Sequence, residues 1–313
     1  SKAFFVLCTC GVSLMNADLR SGSVGFVGAG ALGLTLARAM QHAGYHVTSV
    51  ASRTTASSER LASSINGCAA VTSQAVADSC DAVFLTVPDS AIEGVASATT
   101  WRPGQAVVHC SGASPLSVLD SAKHGGALIG AFHPLQTFGG PDGKPDVLRD
   151  IAYAVEADSP LREELESLAN DFGGWSIALE SVDRILYHVS AITACGLLAT
   201  LVKLSADLWS DFGQSSDQGL RSLLPLVRST LDSIEHRGFP GVLTGPMVRG
   251  DIATVQSHID TLAARARAFQ PIYSHLALAS LPIARDKGGL GAREEEQLHE
   301  LLTNSKQTTG NEK

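Results

Sequence analysis

Residues 23–40 read SVGFVGAGALGLTLARAM, and the change of rhythm inside this run decides the fold. From Ser23 to Gly28 the chain is mostly apolar with no polar alternation, as in a strand covered on both faces. From Leu32 to Ala43 apolar residues return at helical spacing. The joint is Gly28, Ala29, Gly30, Ala31, Leu32 and Gly33. In a strand–turn–helix of this kind the first glycine makes the tight turn. The second lets a pyrophosphate approach the backbone, and the third lets helix and strand pack closely. The helix N-terminus then offers free N–H groups and a partial positive charge to phosphate. These six residues are read as the cradle of a dinucleotide site, the alternative being a glycine turn that binds nothing.

Working outward, the same beat continues. HVTSVAS (His46–Ser52), DAVFLTV (Asp81–Val87), QAVVHC (Gln105–Cys110) and ALIGAF (Ala127–Phe132) are short, apolar on both faces and separated by amphipathic stretches such as Ser57–Ile65. Parallel strands need crossovers of that length, so the pattern predicts a Rossmann-type, doubly wound, mainly parallel sheet. DIAYAVEA (Asp150–Ala157), LREELESLANDF and WSIALE extend it by a strand, a helix and a strand. After Ser181 apolar residues recur only at helical spacing, over Val182–Phe212, Ser216–Arg237 and Asp251–Ala268, which predicts an all-α C-terminal domain. The expected boundaries are an N-terminal extension over 1–20, the nucleotide domain over 21–180, a helical domain over 181–290, and a C-terminal helix and tail over 291–313. Pro246 is expected in the first turn of a helix and Asp251 at a cap, while the helix from Arg293 is expected to be exposed and to fade into disorder.

The 313 residues are 44% hydrophobic and 17% charged, enough for two ordinary cores in a soluble protein. A net charge of −8 argues against the basic patch that nucleic acid or anionic lipid requires and for small-molecule partners. The six cysteines lack paired zinc spacing, and no His, Cys, Asp and Glu cluster suggests a metal, so reduced thiols in the cytoplasm are expected. AFFVLCTCGVSLM has signal-peptide length but neither a cleavage pattern nor the length of a membrane span, and Met15 reads as a natural start.

The second strand ends in Ser52, Arg53 and Thr54, where an NAD site usually carries an acid that would repel a 2′-phosphate. A guanidinium flanked by hydroxyls suits that phosphate, so NADP (NADPH) is the expected cofactor; the alternative makes Arg53 a solvated surface charge. Thr86, Val87 and Pro88 end the next parallel strand where ligands sit in open α/β sheets, and Asp89 is expected to cap the following helix.

With these pieces in line, the chain resembles the 6-phosphogluconate dehydrogenase superfamily, whose relatives include ketopantoate reductase, prephenate dehydrogenase and deazaflavin-dependent NADP reductases. GFVGAGALG, FLTVPD, VVHCSGA, GAFHPLQTF, LYH and LTGPMVRGD resemble one bacterial group within it, which joins a Rossmann-like domain to an uncharacterised helical domain. Prephenate dehydrogenases carry a serine after one strand and a His-Pro after the next, and by that resemblance Ser111 and His133 match the pair that meets substrate. An imidazole can move the proton that hydride transfer to a carbonyl or imine demands; the other reading of His133 ties down its loop. Ser111, Gln136 and Thr137 are read as hydrogen-bonding a substrate. His188, a second candidate catalytic residue, stands where the superfamily often has a lysine, with Ile192 in place of its asparagine and Gly196 in place of the group's own, so ketopantoate reductase chemistry is not implied. His109, inside a strand, is expected to be a packed, hydrogen-bonded histidine, and Tyr187 to be core. Arg249 either clamps a substrate carboxylate or pairs with Asp251 or another surface acid.

The reading that results is an NADP-dependent oxidoreductase (dehydrogenase or reductase) acting on a small carbonyl or hydroxy-acid substrate held between the domains. By resemblance it is a homodimer through the helical domain. An imine or pyrroline reductase and a non-catalytic dinucleotide sensor are the alternatives.

Overall fold

The structure is a computed structural model that describes residues 19–139 and 143–307. Residues 1–18 of the expected extension and 308–313 of the expected tail lie outside the described residues. The chain divides into two compact units, one up to Ala194 and one from Cys195 onward.

The first unit is built on an eight-stranded sheet: β1 (Ser23–Val27), β2 (His46–Ala51), β3 (Ala69–Ala70), β4 (Ala82–Leu85), β5 (Ala106–His109), β6 (Leu128–Pro134), β7 (Ala152–Ala157) and β8 (Trp175–Ala178). Their order is β3-β2-β1-β4-β5-β6-β7-β8, with every pair parallel except β6 and β7. The doubly wound fold is thus as the apolar runs predict. The helices are α1 (Ala31–His42), α2 (Thr55–Ser63), α3 (Ser73–Ser79), α4 (Asp89–Ala98), α5 (Asp120–His124), α6 (Leu161–Asp171) and α7 (Arg184–Ile192). Asp89 does not cap α4: Pro88 holds the N-cap position, and Asp89 lies inside the first turn, where its charge still complements the helix dipole.

Strand alternation sorts the side chains onto two faces. One face carries Val24, Phe26, Phe84, Val108, Phe132, Tyr153 and Val155, a buried apolar layer with α1 and α6 packed against it. The other carries Val27, Val83, Leu85 and Val107 under α3 to α5. Toward β7 this second face turns polar. His109 pairs with Ala131, Ala131 with Glu156, and His133 with Ala154, so His109, His133 and Glu156 project to the same side. Ala131 and Ala154 between them are fully buried and small, leaving room for larger side chains to reach in from above.

The second unit is helical, as expected: α8 (Leu198–Asp207), α9 (Ser216–Arg237), α10 (Ile252–Arg265), α11 (Gln270–Asp286) and α12 (Ala292–Gln307). Ser215 and Gln218 form a reciprocal capping box at the start of α9. Asp251 caps α10 as predicted, accepting from the Thr254 N–H at 3.1 Å, whereas Pro246 lies in a turn ahead of that helix. The expectation of an exposed last helix is corrected: Leu298 and Leu302 of α12 are fully buried with Val255, Leu281 and Ala284. REEEQ shows only the charged face of this amphipathic helix; the leucines four residues apart make the other.

A continuous helical stretch from Arg184 to Phe212 includes one π-turn, Thr193–Leu197. Its 29 residues contain a window of mean hydropathy 1.9, none of it buried, so by length and composition alone it is apolar enough to cross a membrane.

Candidate functional site

The three glycines of the β1–α1 joint have separate tasks. Gly28 has φ +118°, and a Cβ there would lie 2.5 Å from the backbone of Thr86, so both the turn and the approach to β4 require glycine. A Cβ on Gly33 would lie 2.3 Å from the Gly28 carbonyl oxygen and 2.6 Å from the Thr86 hydroxyl. That hydroxyl donates to the same carbonyl at 2.7 Å, which ties together the chain leaving β1 and the chain leaving β4. Gly30 is different: nothing stands within 4 Å of where its Cβ would be. It is exposed, it begins α1 without a side-chain cap, and no acid occupies the first turn. Ala29 is buried and Leu32 packs against the core, so only the Gly30–Ala31 backbone is presented outward. An open, uncapped helix start fits a pyrophosphate.

Arg53 is exposed just after β2 and makes no ion pair among the described residues. Thr54, at the N-cap of α2, donates its hydroxyl to Ser57 at 2.7 Å, and Ser52 is half-buried beside Arg53. Thr86 is buried, Val87 half-buried and Pro88 exposed, in order along the chain leaving the sheet.

The second cluster stands on the polar part of the other face. His133 Nδ1 and the Tyr187 hydroxyl are 2.7 Å apart, with their rings edge to face. Burial first, then the neighbouring His188 and the Arg184 guanidinium, hold the His133 imidazole down to about 4, against a smaller opposite pull from Asp89. Burial pushes the Tyr187 phenol up to about 12, opposed by Arg184. Near neutral pH the pair is therefore an uncharged imidazole and an uncharged phenol. Gly112 makes the close packing possible: a Cβ on it would meet His133 Nε2 at 2.9 Å and His188 Nδ1 at 3.0 Å. Both imidazoles rest on that one backbone position.

Beneath them, Arg184 is wholly buried, with Nε 2.5 Å from Glu156 Oε2 and Nη1 donating to the Ser111 carbonyl at 3.2 Å. The Ser111 N–H donates to His109 Nδ1 at 3.2 Å, and burial followed by Arg184 and His133 lowers the His109 imidazole to about 3. His109 is thus the packed, hydrogen-bonded histidine expected. The Ser111 hydroxyl accepts from the N–H groups of Ala113 and Ser114 at 3.1 and 2.9 Å, and its own proton is left to donate.

Of the remaining predicted residues, Gln136 is engaged with its own loop, donating to the Val147 carbonyl at 3.2 Å and accepting from the Thr137 N–H at 2.8 Å. Thr137 lines a cavity of about 160 Å³ with Ala31, Thr35 and Lys144. Arg249 belongs to the second unit, where it is exposed and its charge joins the Thr254 hydrogen bonds in lowering the Asp251 carboxyl. Sequence reasoning missed Arg184 and Glu156 and took Tyr187 for core. The available signal was parity: Glu156 breaks an otherwise apolar strand on the face that His133 occupies.

The family matches divide the chain at a different place from the two compact units, between β6 and β7. The profile of a Rossmann-like domain matches residues 12–134, and that of a domain of unknown function, DUF2520, matches residues 151–280. No curated protein matches the chain. Among solved structures, a Bacteroides fragilis protein provisionally named an NADP oxidoreductase is 24% identical, with TM-score 0.65 over 84% of this chain and 99% of that one. A Thermotoga maritima protein is 21% identical, with the same score and coverage. A 1-pyrroline-5-carboxylate reductase from Streptococcus pyogenes is 13% identical, with TM-score 0.54 over 91% of this chain and 98% of that one. These likenesses establish the fold.

Proposed function

We propose that this chain is an NADP(H)-dependent oxidoreductase of the 6-phosphogluconate dehydrogenase superfamily that transfers a hydride between NADP(H) and a small carbonyl or hydroxy-acid substrate. The observation that carries the reading is one sheet bearing both an open glycine cradle at Gly30 and a neutral imidazole, His133, on β6. Gly28, Gly30 and the α1 N-terminus would hold the pyrophosphate, with Arg53 at the 2′-phosphate and Thr86, Val87 and Pro88 along the ribose. When bound, the nicotinamide supplies or accepts a hydride. For their part, the residues of the chain position the substrate and move one proton: His133 gives or takes it, and the Ser111 hydroxyl orients the reacting group.

A second reading, reduction of an imine, is supported by fold neighbours such as the Streptococcus pyogenes pyrroline carboxylate reductase and an Aspergillus terreus reductive aminase in complex with NADPH, 15% identical at TM-score 0.55 over 92% of this chain and 94% of that one. Both readings use the same proton and the same cradle. The proposal extends to a cytoplasmic homodimer through the helical unit, supported by apolar side chains standing in solvent, among them Leu226 at 63% and Leu276 at 50% exposure.

Parallel fluorescence titrations with NADPH and NADH test the cofactor, followed by turnover of 2-ketoacids, hydroxy acids and cyclic imines. NADPH is expected to bind the tighter, and Arg53→Asp to reverse the preference. Turnover lost in His133→Ala with NADPH affinity kept excludes a sensor, and binding of neither nucleotide overturns the assignment. A monomer by sedimentation, or partition into detergent micelles, overturns the soluble dimer.

A further inference from the structure

We propose that the Tyr187 hydroxyl fixes His133 as the tautomer with its proton on Nε2, so that His133 is the proton donor of a reduction and Tyr187 the positioning residue that acts through it. The inference rests on the oxidoreductase reading and says which of its histidines moves the proton.

Three histidines meet around Ser111 and Gly112, and their hydrogen bonds separate them. His109 has its Nδ1 occupied by the Ser111 N–H, but its Nε2 is sealed in the interior without a partner. That proton cannot reach a substrate. His188 has the opposite defect: its Nδ1 is itself sealed and unpartnered, so nothing selects its tautomer there. His133 alone of the three has Nδ1 engaged and Nε2 outside the sealed, unpartnered set.

The direction of the His133–Tyr187 bond follows from counting protons. The ring is neutral at physiological pH, because burial, His188 and Arg184 all oppose a second proton. It therefore carries one. The phenol keeps its own, being pushed up to about 12. Nδ1 is the only hydrogen-bond partner of the Tyr187 hydroxyl among the described residues. If Nδ1 held the ring proton, the phenolic O–H would find no protein acceptor, and a donor left unsatisfied in a partly buried site is costly. With Tyr187 donating, both groups are satisfied and the ring proton stands on Nε2.

The same pair closes the proton balance. Once the substrate carbon has received two electrons as hydride, the heteroatom takes the Nε2 proton and the Nδ1 lone pair takes the Tyr187 proton; water then returns a proton to Nε2 while Nδ1 hands its own back to the phenolate, restoring the starting tautomer. An alkoxide is a far stronger base than a phenolate, so the relay runs downhill. The Arg184 charge, which already favours ionisation of Tyr187, steadies the transient anion. No co-reactant beyond hydride donor and water is needed.

The test is the tautomer itself. Long-range ¹⁵N–¹H spectra at pH 7, with His133 assigned by its loss in His133→Gln, are expected to show a protonated Nε2 and a bare, hydrogen-bonded Nδ1. In Tyr187→Phe, which keeps the ring and removes the hydroxyl, the two tautomers should mix. Turnover should fall on the order of a hundredfold while NADPH affinity holds. A wild-type spectrum with the proton on Nδ1 overturns the inference, as does an unchanged tautomer in Tyr187→Phe. The wild-type spectrum decides the matter even if that variant does not fold. If no dinucleotide binds, the oxidoreductase reading fails while the spectrum still reports on the tautomer.

Discussion

Gly30→Ala and Gly33→Ala add the same methyl group three residues apart, yet they are expected to fail in different ways. At Gly33 the Cβ would lie 2.3 Å from a backbone carbonyl oxygen, which cannot swing aside as a flexible side chain can. Overpacking of this kind costs about 1–3 kcal/mol, and a contact with fixed backbone belongs at the upper end. At about 2–4 °C per kcal/mol for a unit of this size, Tm should drop by roughly 6–12 °C. At Gly30 the φ of −75° suits any residue, and nothing lies within 4 Å. Restricting the unfolded chain stabilises by about 0.4–1 kcal/mol, while alanine is a poorer N-cap than glycine by a similar amount. The two offset, so Tm should hold within about 2 °C. Binding separates the variants, because the new methyl fills the space a pyrophosphate needs. NADPH affinity in Gly30→Ala should fall at least about tenfold, or 1.4 kcal/mol. Calorimetry and fluorescence titration on the same preparations decide it. A Gly30→Ala protein that binds NADPH like the wild type, or that loses as much stability as Gly33→Ala, would refute the assignment of tasks to these glycines.

Three further expectations follow from the second cluster. Gly112→Ala drives a methyl into His133 and His188, so turnover should drop steeply while NADPH affinity, set elsewhere on the sheet, stays within twofold or so; unchanged turnover would remove these rings from the chemistry. Arg184→Met strands the Glu156 carboxylate and should destabilise by about 3 kcal/mol, with much of that recovered when Glu156 is also made apolar; strictly additive losses in denaturant titrations would contradict the ion pair. Stability should also fall in acid: unfolded histidines take up protons near pH 6.5, whereas folded His133 and His109 resist until about 4 and 3. Stability should therefore be level above that pH and drop by a few kcal/mol as pH falls from about 6.5 to 4. A flat profile there, or one unaltered by His133→Gln, would show that these rings are not held neutral.

What the sequence makes legible here is whatever has a local period. Strands covered on both faces announce themselves as unbroken apolar runs, and the glycine joint sits between two such rhythms, so the sheet and its cradle can be read without a structure. The proton-transfer cluster is harder because its members come from β5, β6, β7 and α7. Nothing local says that Tyr187 will meet His133, since LYH at the start of an apolar helix has the texture of core. Arg184 is harder still, because a buried guanidinium is uncommon and needs a partner that only the β6–β7 register brings into reach. The misjudged last helix has a plainer cause: its charges cluster at the start, while its leucines fall later in the chain.

The reversal between β6 and β7 has an evolutionary consequence. Because the two strands run in opposite directions, the segment that leaves the sheet after Pro134 comes back at Ala152, beside the place it left. The later part of this excursion is tied down, since Leu148 is buried in the core and Gly143 lies against Leu34 of α1, whereas Leu135, Gln136 and Thr137 at its start are exposed. His133 lies at the root of that segment. A lineage could exchange one reactant for another by rewriting the exposed residues at that root, with the nucleotide half of the unit inherited intact.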